Sequence, residues 1–235
     1  MTAIEVAQKA KEKYFIKRNY LAPKGFTLSY IVYRLLRPFL KINYKLFKLF
    51  HPTTPWTTQA AIDTFSRVLT KDMIGFEYGS GFSTIFFSRH LKHITSVEHN
   101  PAWHELVTKK LAESGLHNVS YHLVQPATPT ANKDYRYLYE PFGLTSSDFR
   151  VRAEYDAYFS FIDQYPDEHF DFIMVDGRAR VECSLLAIGK LKPGGIFVLD
   201  NSDRPRYAPV FRVLSTWKSV TSTTGLFDTT FWFKP

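Results

Sequence analysis

MIGFEYGSGFST, residues 73–84, is the stretch of sequence that decides the fold. Its apolar first part, Met73–Phe76, predicts a buried strand, and two glycines one residue apart follow it. Glycine allows a sharp backbone turn and lets a ligand approach the chain without a Cβ in the way. Ser83 or Thr84 is expected to cap a following helix. The stretch therefore predicts a strand, a turn that can hold a ligand, and a helix.

A second expected strand, Ile94–Val97, ends at Glu98. An acidic side chain at the end of the second parallel strand can accept hydrogen bonds from both hydroxyls of a ribose. A dinucleotide site would have a third glycine where Thr84 stands. Thr84 therefore argues for a cofactor without a pyrophosphate, such as S-adenosylmethionine. The alternative is a turn that binds no ligand, with Glu98 as a solvated surface charge.

Strands and helices are expected to alternate along the rest of the chain. This alternation predicts an α/β fold with a doubly wound, mostly parallel sheet, whose ligands bind outside the carboxyl ends of the strands. Near the end, Ser219–Thr223 and Asp228–Lys234 are separated by four residues, too few for a parallel crossover, and predict an antiparallel hairpin. The expected strands lie near 73–78, 94–98, 119–124, 170–175 and 195–200, and the expected helices near 57–69, capped by Thr57 or Thr58, 83–91, 101–114, 153–164, 181–190 and 210–217.

Four short motifs follow the expected strands: Glu77-x-Gly79-x-Gly81-x-Ser83-Thr84, Ser96-Val97-Glu98-His99-Asn100, Val175-Asp176-Gly177-Arg178-Ala179-Arg180 and Leu199-Asp200-Asn201-Ser202-Asp203-Arg204. In these motifs the chain resembles class I S-adenosylmethionine-dependent methyltransferases, from about Trp56 to the C-terminus. A Pro-Trp dipeptide before the first domain helix is similar to that of a poorly characterised bacterial group in this superfamily. The resemblance implies a seven-stranded Rossmann-like methyltransferase sheet with a C-terminal antiparallel hairpin.

The resemblance also implies a site for S-adenosylmethionine. Methyl transfer needs the acceptor atom in line with the methyl group, and a base only where the acceptor is a poor nucleophile such as a hydroxyl. Glu77 is expected near the amino-acid end of the cofactor, and Trp103 either flanks the adenine or is simply packed. The residues expected at the cofactor are Glu77, Tyr78, Gly79, Ser80, Gly81, Ser83, Thr84, Glu98, His99 and Asp176.

The candidate catalytic residues are Asp176, Arg178 and Asp200. Asp176, Asp200 and Asn201 resemble the Mg²⁺ ligands of catechol-type O-methyltransferases. Ala179, however, replaces the lysine of that pattern, and nearby arginines disfavour a dication, so a metal is not expected. Arg178 or Arg180 is instead expected to pair with a carboxylate or with a substrate anion. The candidate substrate-binding residues are Arg180, Asn201, Arg204 and Tyr207.

The formal net charge of +8 lies in the N-terminal segment. Residues 1–51 hold 11 Lys and Arg against two Glu, a net charge of +9, while residues 52–235, the predicted methyltransferase domain, sum to −1. A nearly neutral domain argues against a nucleic-acid partner. In residues 28–50, basic side chains recur at three- and four-residue steps, and apolar side chains fall on the opposite side of a helix. This pattern predicts two amphipathic helices with a break near Pro38. Their apolar side docks either on the domain's own core or on an anionic membrane surface.

The single cysteine, Cys183, excludes an internal disulfide and is expected to pack as a small hydrophobe. No apolar run resembles a signal peptide or a bilayer span, so a cytoplasmic location is expected, either free or peripheral at the inner face of the membrane. The insertion at 125–152 is expected to be a lid over the site, or else a surface excursion.

The predicted function is an S-adenosylmethionine-dependent methyltransferase that methylates a hydroxyl of a small-molecule acceptor. Two alternatives remain open at this point. One is a non-catalytic, membrane-associated binding module on the same fold. The other is an NAD-dependent oxidoreductase, which Thr84 and the terminal hairpin disfavour.

Overall fold

A seven-stranded sheet is the central layer of the molecule. The structure is a computed structural model, which describes residues 1–14 and 28–235. Residues 15–27 lie outside this description. The strands are β1 (Ile74–Tyr78), β2 (His93–Glu98), β3 (Val119–Leu123), β4 (Phe170–Val175), β5 (Leu191–Asp200), β6 (Lys218–Thr223) and β7 (Asp228–Phe233).

The strand order across the sheet is β3-β2-β1-β4-β5-β7-β6. Strands β1 to β5 run parallel, and β7 pairs antiparallel with both β5 and β6. This confirms the predicted doubly wound, mostly parallel sheet with an antiparallel C-terminal hairpin. The order reverses between β1 and β4, which opens a crevice outside the carboxyl ends of these strands, where ligands bind in such sheets.

Helices pack on both faces of the sheet. Thr58 caps α3, because its hydroxyl oxygen accepts a hydrogen bond from the Ala61 N–H at 3.1 Å. The helix expected over 153–164 is only partly α-helical, since one short α-helix lies between two stretches of 3-10 helix. The α-helices are α1 (Ala3–Lys13), α2 (Leu28–Phe50), α3 (Gln59–Val68), α4 (Phe82–His90), α5 (Pro101–Glu113), α6 (Asp156–Phe159), α7 (Arg180–Lys190) and α8 (Ala208–Val213).

Helix α4 begins at Phe82, so the expectation that Ser83 or Thr84 caps it is wrong. The N-cap is Gly81, whose N–H donates to Thr84 Oγ1 at 3.1 Å. Ser83 and Thr84 lie in the first turn and donate their hydroxyl hydrogens to the buried Glu77 carboxylate instead. A local capping pattern cannot reveal this competition, because the acceptor comes from the preceding strand.

Helix α2 runs unbroken from Leu28 to Phe50, so the predicted break near Pro38 is also wrong. Proline has no N–H to donate to the carbonyl of Arg34, one turn earlier. Arg34 and Pro38 are both exposed, so water can satisfy the carbonyl that the proline leaves without a donor. The helix therefore tolerates an interior proline on its solvent side.

Helix α1 packs against α3 and β6. Val6, Ala7 and Ala10 are buried, and Val6 joins the same apolar cluster as Phe65 of α3. The first helix is thus packed on the core of the sheet domain. The boundary between residues 51 and 52 stays a prediction.

The insertion at 125–152 is anchored on the core rather than simply extended over the surface. It forms short 3-10 turns at 136–138 and 140–142, and its own residues Leu138 and Leu144 are buried in the core. Its last residues reach the crevice described above. The insertion therefore forms one wall of the candidate site.

Apolar side chains form one layer on each face of the sheet. Phe76 and Tyr78 of β1 belong to one layer, and Phe172 of β4 belongs to the other. Cys183 of α7 is fully buried in the first layer, and burial raises the pKa of its thiol. A protonated and enclosed thiol packs as a small hydrophobe, in agreement with the sequence prediction.

Candidate functional site

A cavity of about 770 Å³ opens at the carboxyl ends of β1, β2 and β4. Its volume falls within the range of small-molecule sites. Loops after the strands form its base, and the end of the insertion at 125–152 forms one side. The lining residues are Gly79, Ser80, Glu98, His99, Asn100, Trp103, Asp148, Phe149, Arg150, Arg152, Asp176, Gly177, Arg178, Ala179, Arg180, Val181, Glu182, Arg204, Arg206 and Tyr207.

The turn after β1 depends on glycine. Gly79 has a φ of +88°, in the left-handed region, and a Cβ there would lie 2.6 Å from the Gly177 backbone. A Cβ on Gly177 would in turn collide with the Tyr158 hydroxyl. The loops after β1 and β4 can approach each other this closely because both positions are glycines.

Glu98, at the end of β2, is bonded to the turn after β1. Its Oε2 accepts hydrogen bonds from the N–H and the hydroxyl of Ser80, both at 3.1 Å. Its Oε1 accepts from the N–H groups of His99 and Asn100, at 2.9 and 2.8 Å. Burial opposes ionisation, but the hydrogen bonds from His99 and Asn100 outweigh it and lower the pKa of the carboxyl. Glu98 is therefore a charged acceptor that orients the turn.

Glu77 lies beneath the same turn and is fully buried. Ser96, its neighbour in register on β2, donates to Oε2 at 2.7 Å, and Thr84 donates to Oε2 at 2.6 Å. Ser83 donates to Oε1. Burial raises the pKa of Glu77 to about 7, although the three hydroxyl groups lower it in part. The carboxyl thus fastens the first turn of α4 to the sheet.

The structure separates the residues expected at the cofactor into two sets. Gly79, Ser80, Glu98, His99 and Asp176 line the cavity. The others do not line the cavity, and their contact with the cofactor stays a prediction. These are Glu77, Tyr78, whose hydroxyl donates to the Phe159 carbonyl at 2.6 Å, Gly81, Ser83 and Thr84.

Arg180 joins the ends of β4 and β5. Its Nε donates to the Gly177 carbonyl at 2.9 Å, and its Nη2 donates to the carbonyl and the carboxylate of Asp176, at 2.6 and 2.7 Å. Its Nη1 donates to the Asp200 carbonyl. The side chain is only 8% exposed. Arg180 therefore makes the expected pairing with a carboxylate, while its predicted contact with substrate stays a prediction.

The Asp176 and Asp200 carboxyls share a hydrogen bond. Asp176 lines the cavity, whereas Asp200 is buried behind it and accepts from Thr229 Oγ1 at 2.6 Å and from the Asn201 amide at 2.7 Å. Burial raises the pKa of both carboxyls, well above the usual value for Asp200, where the charge of Asp176 adds to the effect. Such a pair can take up and hold a proton.

The remaining candidates differ in their access to the cavity. Arg178, Arg204 and Tyr207 line it, and Arg178 and Arg204 are exposed. Asn201 does not line it, because its left-handed backbone, with a φ of +50°, turns the amide back toward Asp200. Its contact with substrate stays a prediction, and Asn201 accepts a hydrogen bond from Arg204, whose Nη2 donates to Asn201 Oδ1 at 2.7 Å.

Sequence reasoning missed part of an arginine cluster around the cavity. Three Arg-x-Arg pairs line it, and the pair at the end of the insertion was not singled out. The three pairs lie in three different parts of the sequence and share the spacing Arg-x-Arg. This repeated spacing is the signal that could have identified the cluster. The pairs are Arg150 with Arg152, Arg178 with Arg180, and Arg204 with Arg206.

Tyr44 of α2 is a further residue near the site that was not predicted from the sequence. Burial raises the pKa of its hydroxyl, and the charges of Asp200 and Asp176 raise it further. Its ring lies 5.2 Å from the Phe227 ring, in an edge contact. Helix α2 therefore places a tyrosine within the electrostatic field of the carboxyl pair.

Two tryptophans connect α2 with the turn after β1. The Trp103 indole N–H donates to the Ser80 carbonyl at 2.8 Å, and its ring lies 5.9 Å from that of Trp56. Lys48 of α2 stands over the Trp56 ring at 4.7 Å. Trp103 lines the cavity and can flank an aromatic ligand there, as one of the two sequence-based alternatives has it.

Within residues 1–14 and 28–235, no group of three or more His, Cys, Asp and Glu side chains could hold a metal ion. At Asp176, the Arg180 guanidinium already supplies the positive charge that a dication would bring. The oxygens of Asp200 are occupied by Thr229 and Asn201. The residues present are thus bonded to one another.

No protein family profile matches the chain, and no curated protein is similar enough to be a relative. Solved structures with similar folds include a methyltransferase-like protein from Silicibacter pomeroyi, 26% identical, with a TM-score of 0.47, over 69% of this chain and 79% of that one. A methyltransferase from Streptococcus mutans in complex with S-adenosylhomocysteine is 13% identical, with a TM-score of 0.48, over 72% and 93%. An O-methyltransferase from Klebsiella pneumoniae is 14% identical, with a TM-score of 0.44, over 98% and 90%.

Names of tRNA and rRNA methylases also occur among the similar structures, so the comparisons leave the type of acceptor open. The fold itself rests on this chain's own sheet. Its seven strands, mostly parallel with an antiparallel C-terminal hairpin, form the arrangement that the resemblance implied. The chain has the Rossmann-like fold of class I S-adenosylmethionine-dependent methyltransferases.

Proposed function

We propose that this protein is an S-adenosylmethionine-dependent methyltransferase that methylates a hydroxyl of a small, negatively charged acceptor. The observation that carries the proposal is the glycine turn after β1, bonded through Ser80 to the charged Glu98 at the edge of a cavity of about 770 Å³. Such a cavity has the size of a small-molecule site.

The residues at the turn suit this cofactor. Glu98 can accept from ribose hydroxyls once the Ser80 hydroxyl gives way, and Ser80 keeps a partner because its Oγ lies 2.5 Å from the Tyr121 hydroxyl. The Trp103 ring offers an apolar face beside the turn. Together these residues supply hydrogen-bond acceptors and an aromatic ring surface. None of them is a basic side chain that would bind a phosphate.

S-adenosylmethionine, when bound, supplies a methyl group on a positively charged sulfur. Asp176 lines the cavity, and its raised pKa suits a group that takes the proton of an acceptor hydroxyl. Asp200, hydrogen-bonded behind it, can share that proton. Arg180 holds the Asp176 side chain in place through its guanidinium at 2.7 Å. These contacts support O-methylation with Asp176 as the base.

The charges around the cavity support an anionic acceptor. Six arginines line it against four acidic residues, and one of these, Glu182, has a pKa raised by burial. Arg178 and Arg204 are exposed at the cavity, where a guanidinium can bind a carboxylate or phosphate, and Asn201 holds one nitrogen of Arg204. The near-neutral charge of residues 52–235 gives no broad basic surface for a nucleic acid, which favours a small molecule.

Titration calorimetry with S-adenosylhomocysteine tests the cofactor. We expect wild-type binding, weakened at least about tenfold in Glu98→Gln, because the amide replaces a charged acceptor with a weaker one. Glu113→Gln, an exposed substitution on α5, is the matched control and should bind like wild type. Absence of binding to the folded wild-type protein, or preferential binding of NAD, would overturn the proposal.

Turnover separates the enzyme from the binding module. Pairs of hydroxyl compounds, with and without a carboxylate or phosphate, are incubated with S-adenosylmethionine, and the S-adenosylhomocysteine formed is measured. Faster turnover of the charged member of each pair supports an anionic acceptor. Cofactor binding without turnover across the panel would favour the non-catalytic alternative.

A further inference from the structure

Among residues 1–14 and 28–235, helix α2 contacts the rest of the protein through one face. Tyr33 on this face is buried, and Leu40, Tyr44 and Phe47 are half-buried. Tyr44 makes the edge contact with Phe227 that was described above. The helix therefore contacts the domain through a face on which Tyr44 makes the ring contact.

The opposite side of α2 is an exposed apolar stripe. Its side chains recur at three- and four-residue steps over the whole helix, and each is between 46% and 79% exposed. Within residues 1–14 and 28–235 no segment covers them. Contiguous apolar surface of this length marks an interaction site. The apolar stripe consists of Leu28, Ile31, Leu35, Phe39, Ile42, Leu46 and Leu49.

A basic flank runs beside the apolar stripe. Arg34, Lys41 and Lys45 are exposed, and each precedes a residue of the stripe by one position or stands within one turn of it. Residues 28–50 contain no Asp or Glu, so the flank has no acidic counterpart on the helix. The helix thus offers apolar and positively charged surface together.

The apolar stripe and the basic flank together indicate which kind of partner binds this side of α2. In the part of the chain that the structure describes, no helix has the length and apolarity needed to cross a bilayer. A second copy packed stripe to stripe would bring two uncompensated basic flanks together, which is unfavourable. We infer that α2 docks in the plane of an anionic lipid surface, with the apolar stripe in the headgroup boundary and the basic flank at the phosphates.

Docking by this side would bring lipid close to the candidate site. Tyr44, on the side of α2 that contacts the domain, lies within the electrostatic field of Asp176 and Asp200. The apolar stripe lies on the other side of the helix. The helix therefore lies between the lipid surface and the side of the protein that holds the carboxyl pair. An acceptor presented at the membrane would be within reach, a consequence that rests on the proposed methyl transfer, whereas the docking itself does not.

Vesicle flotation of the full chain tests the inference. Vesicles of phosphatidylcholine are compared with vesicles of phosphatidylcholine mixed with phosphatidylglycerol, with no cofactor or acceptor present. We expect binding to the mixed vesicles alone, and weaker binding in high salt. Because this readout is independent of catalysis, its failure would leave the proposed activity untouched.

Two pairs of variants assign the binding to α2. Leu46→Ser should weaken vesicle binding at least about tenfold, whereas Leu106→Ser on α5, at 44% exposure against 46% for Leu46, should not. The double variant Lys41→Gln with Lys45→Gln should weaken binding to mixed vesicles about thirtyfold. The same change at the exposed Lys92 and Lys109 removes equal charge elsewhere and should have little effect.

Three results would overturn the inference. The first is no flotation of the wild-type protein with anionic vesicles. The second is equal flotation of the α2 variants and their controls. The third is a concentration-dependent dimer, seen by analytical ultracentrifugation, that Leu46→Ser dissociates, since the stripe would then be covered by a second copy.

Discussion

Replacing Glu77 with glutamine should remove a pH-dependent loss of stability from the wild-type protein. Burial raises the pKa of Glu77 to about 7, from an ordinary value of 4.5. The folded protein therefore keeps a proton on this carboxyl over a pH range in which the unfolded chain has lost it. The resulting stability is fully present below the unfolded pKa and is lost as the pH rises through the folded one.

The size of the effect follows from the two pKa values. The difference of about 2.5 pKa units corresponds to about 3 kcal/mol in the free energy of unfolding, at 1.36 kcal/mol for each unit. Most of it, about 2.5 kcal/mol, falls between about pH 5 and about pH 8. Glutamine does not titrate, and the hydroxyls of Ser83, Thr84 and Ser96 can reorient toward its amide.

Urea denaturation followed by circular dichroism at four pH values across this range measures the effect. The stability of Glu77→Gln relative to wild type should rise by about 2.5 kcal/mol from the lowest pH to the highest. Other buried carboxyls, such as Asp200, are present in both proteins and cancel in the difference. Glu113→Gln is the control: Lys110 lowers the pKa of that exposed carboxyl below its ordinary value of 4.5, so its titration lies below this range and the variant should run nearly parallel to wild type.

Parallel pH profiles for wild type and Glu77→Gln would refute the reasoning. They would mean that the carboxyl ionises as readily in the folded protein as in the unfolded chain. The hydroxyl groups of Ser83, Thr84 and Ser96 would then stabilise the charge as well as water does, against the dominance of burial argued above.

Gly79→Ala should lower the free energy of unfolding by at least about 2 kcal/mol, because a left-handed backbone and the contact with Gly177 both exclude a Cβ; unchanged urea denaturation would contradict the tight turn. Arg180→Lys should cost about 3 kcal/mol by the same assay, since lysine cannot hold the ends of β4 and β5 together; a loss below about 1 kcal/mol would argue against the clamp. Arg178→Gln should leave the Kd for S-adenosylhomocysteine unchanged and raise the KM for an anionic acceptor about tenfold. If KM is equal for charged and neutral acceptors, in wild type and variant alike, then Arg178 does not contact an acceptor anion.

The sheet was predictable because its signals are local. Apolar runs ending in glycine or an acidic residue mark the carboxyl ends of β1 and β2, and a four-residue gap between β6 and β7 permits only a hairpin. Thr58 could likewise be recognised as a cap from its position before α3. These features depend on neighbours in sequence, so a single chain reveals them.

The failed predictions depend on contacts between different elements of the fold. Ser83 and Thr84 look like caps until the buried Glu77 competes for their hydroxyls. Arg178 and Arg180 look alike in sequence, yet only Arg180 turns inward, because Ala179 between them adopts a left-handed conformation with a φ of +46°. No period or spacing encodes that choice.

The apolar part of 28–50 shows a third kind of limit. The sequence identifies an amphipathic segment but cannot say which side meets the protein. In the structure Tyr33 is buried, Tyr44 contacts Phe227 of the domain, and the aliphatic stripe is left exposed. Tertiary contacts therefore decide that the aromatic side docks on the domain, whereas membrane contact of the aliphatic stripe stays a proposal.

The contact between Trp56 and Trp103 gives the protein an intrinsic optical reporter. Indole emission depends on nearby charges and on hydration, and Trp56, at 47% exposure, has Lys48 of α2 above its ring. Trp103, 5.9 Å away, donates its N–H to the Ser80 carbonyl in the glycine turn. Events at α2 and at the turn therefore converge on one pair of fluorophores, whose emission can follow both without any label.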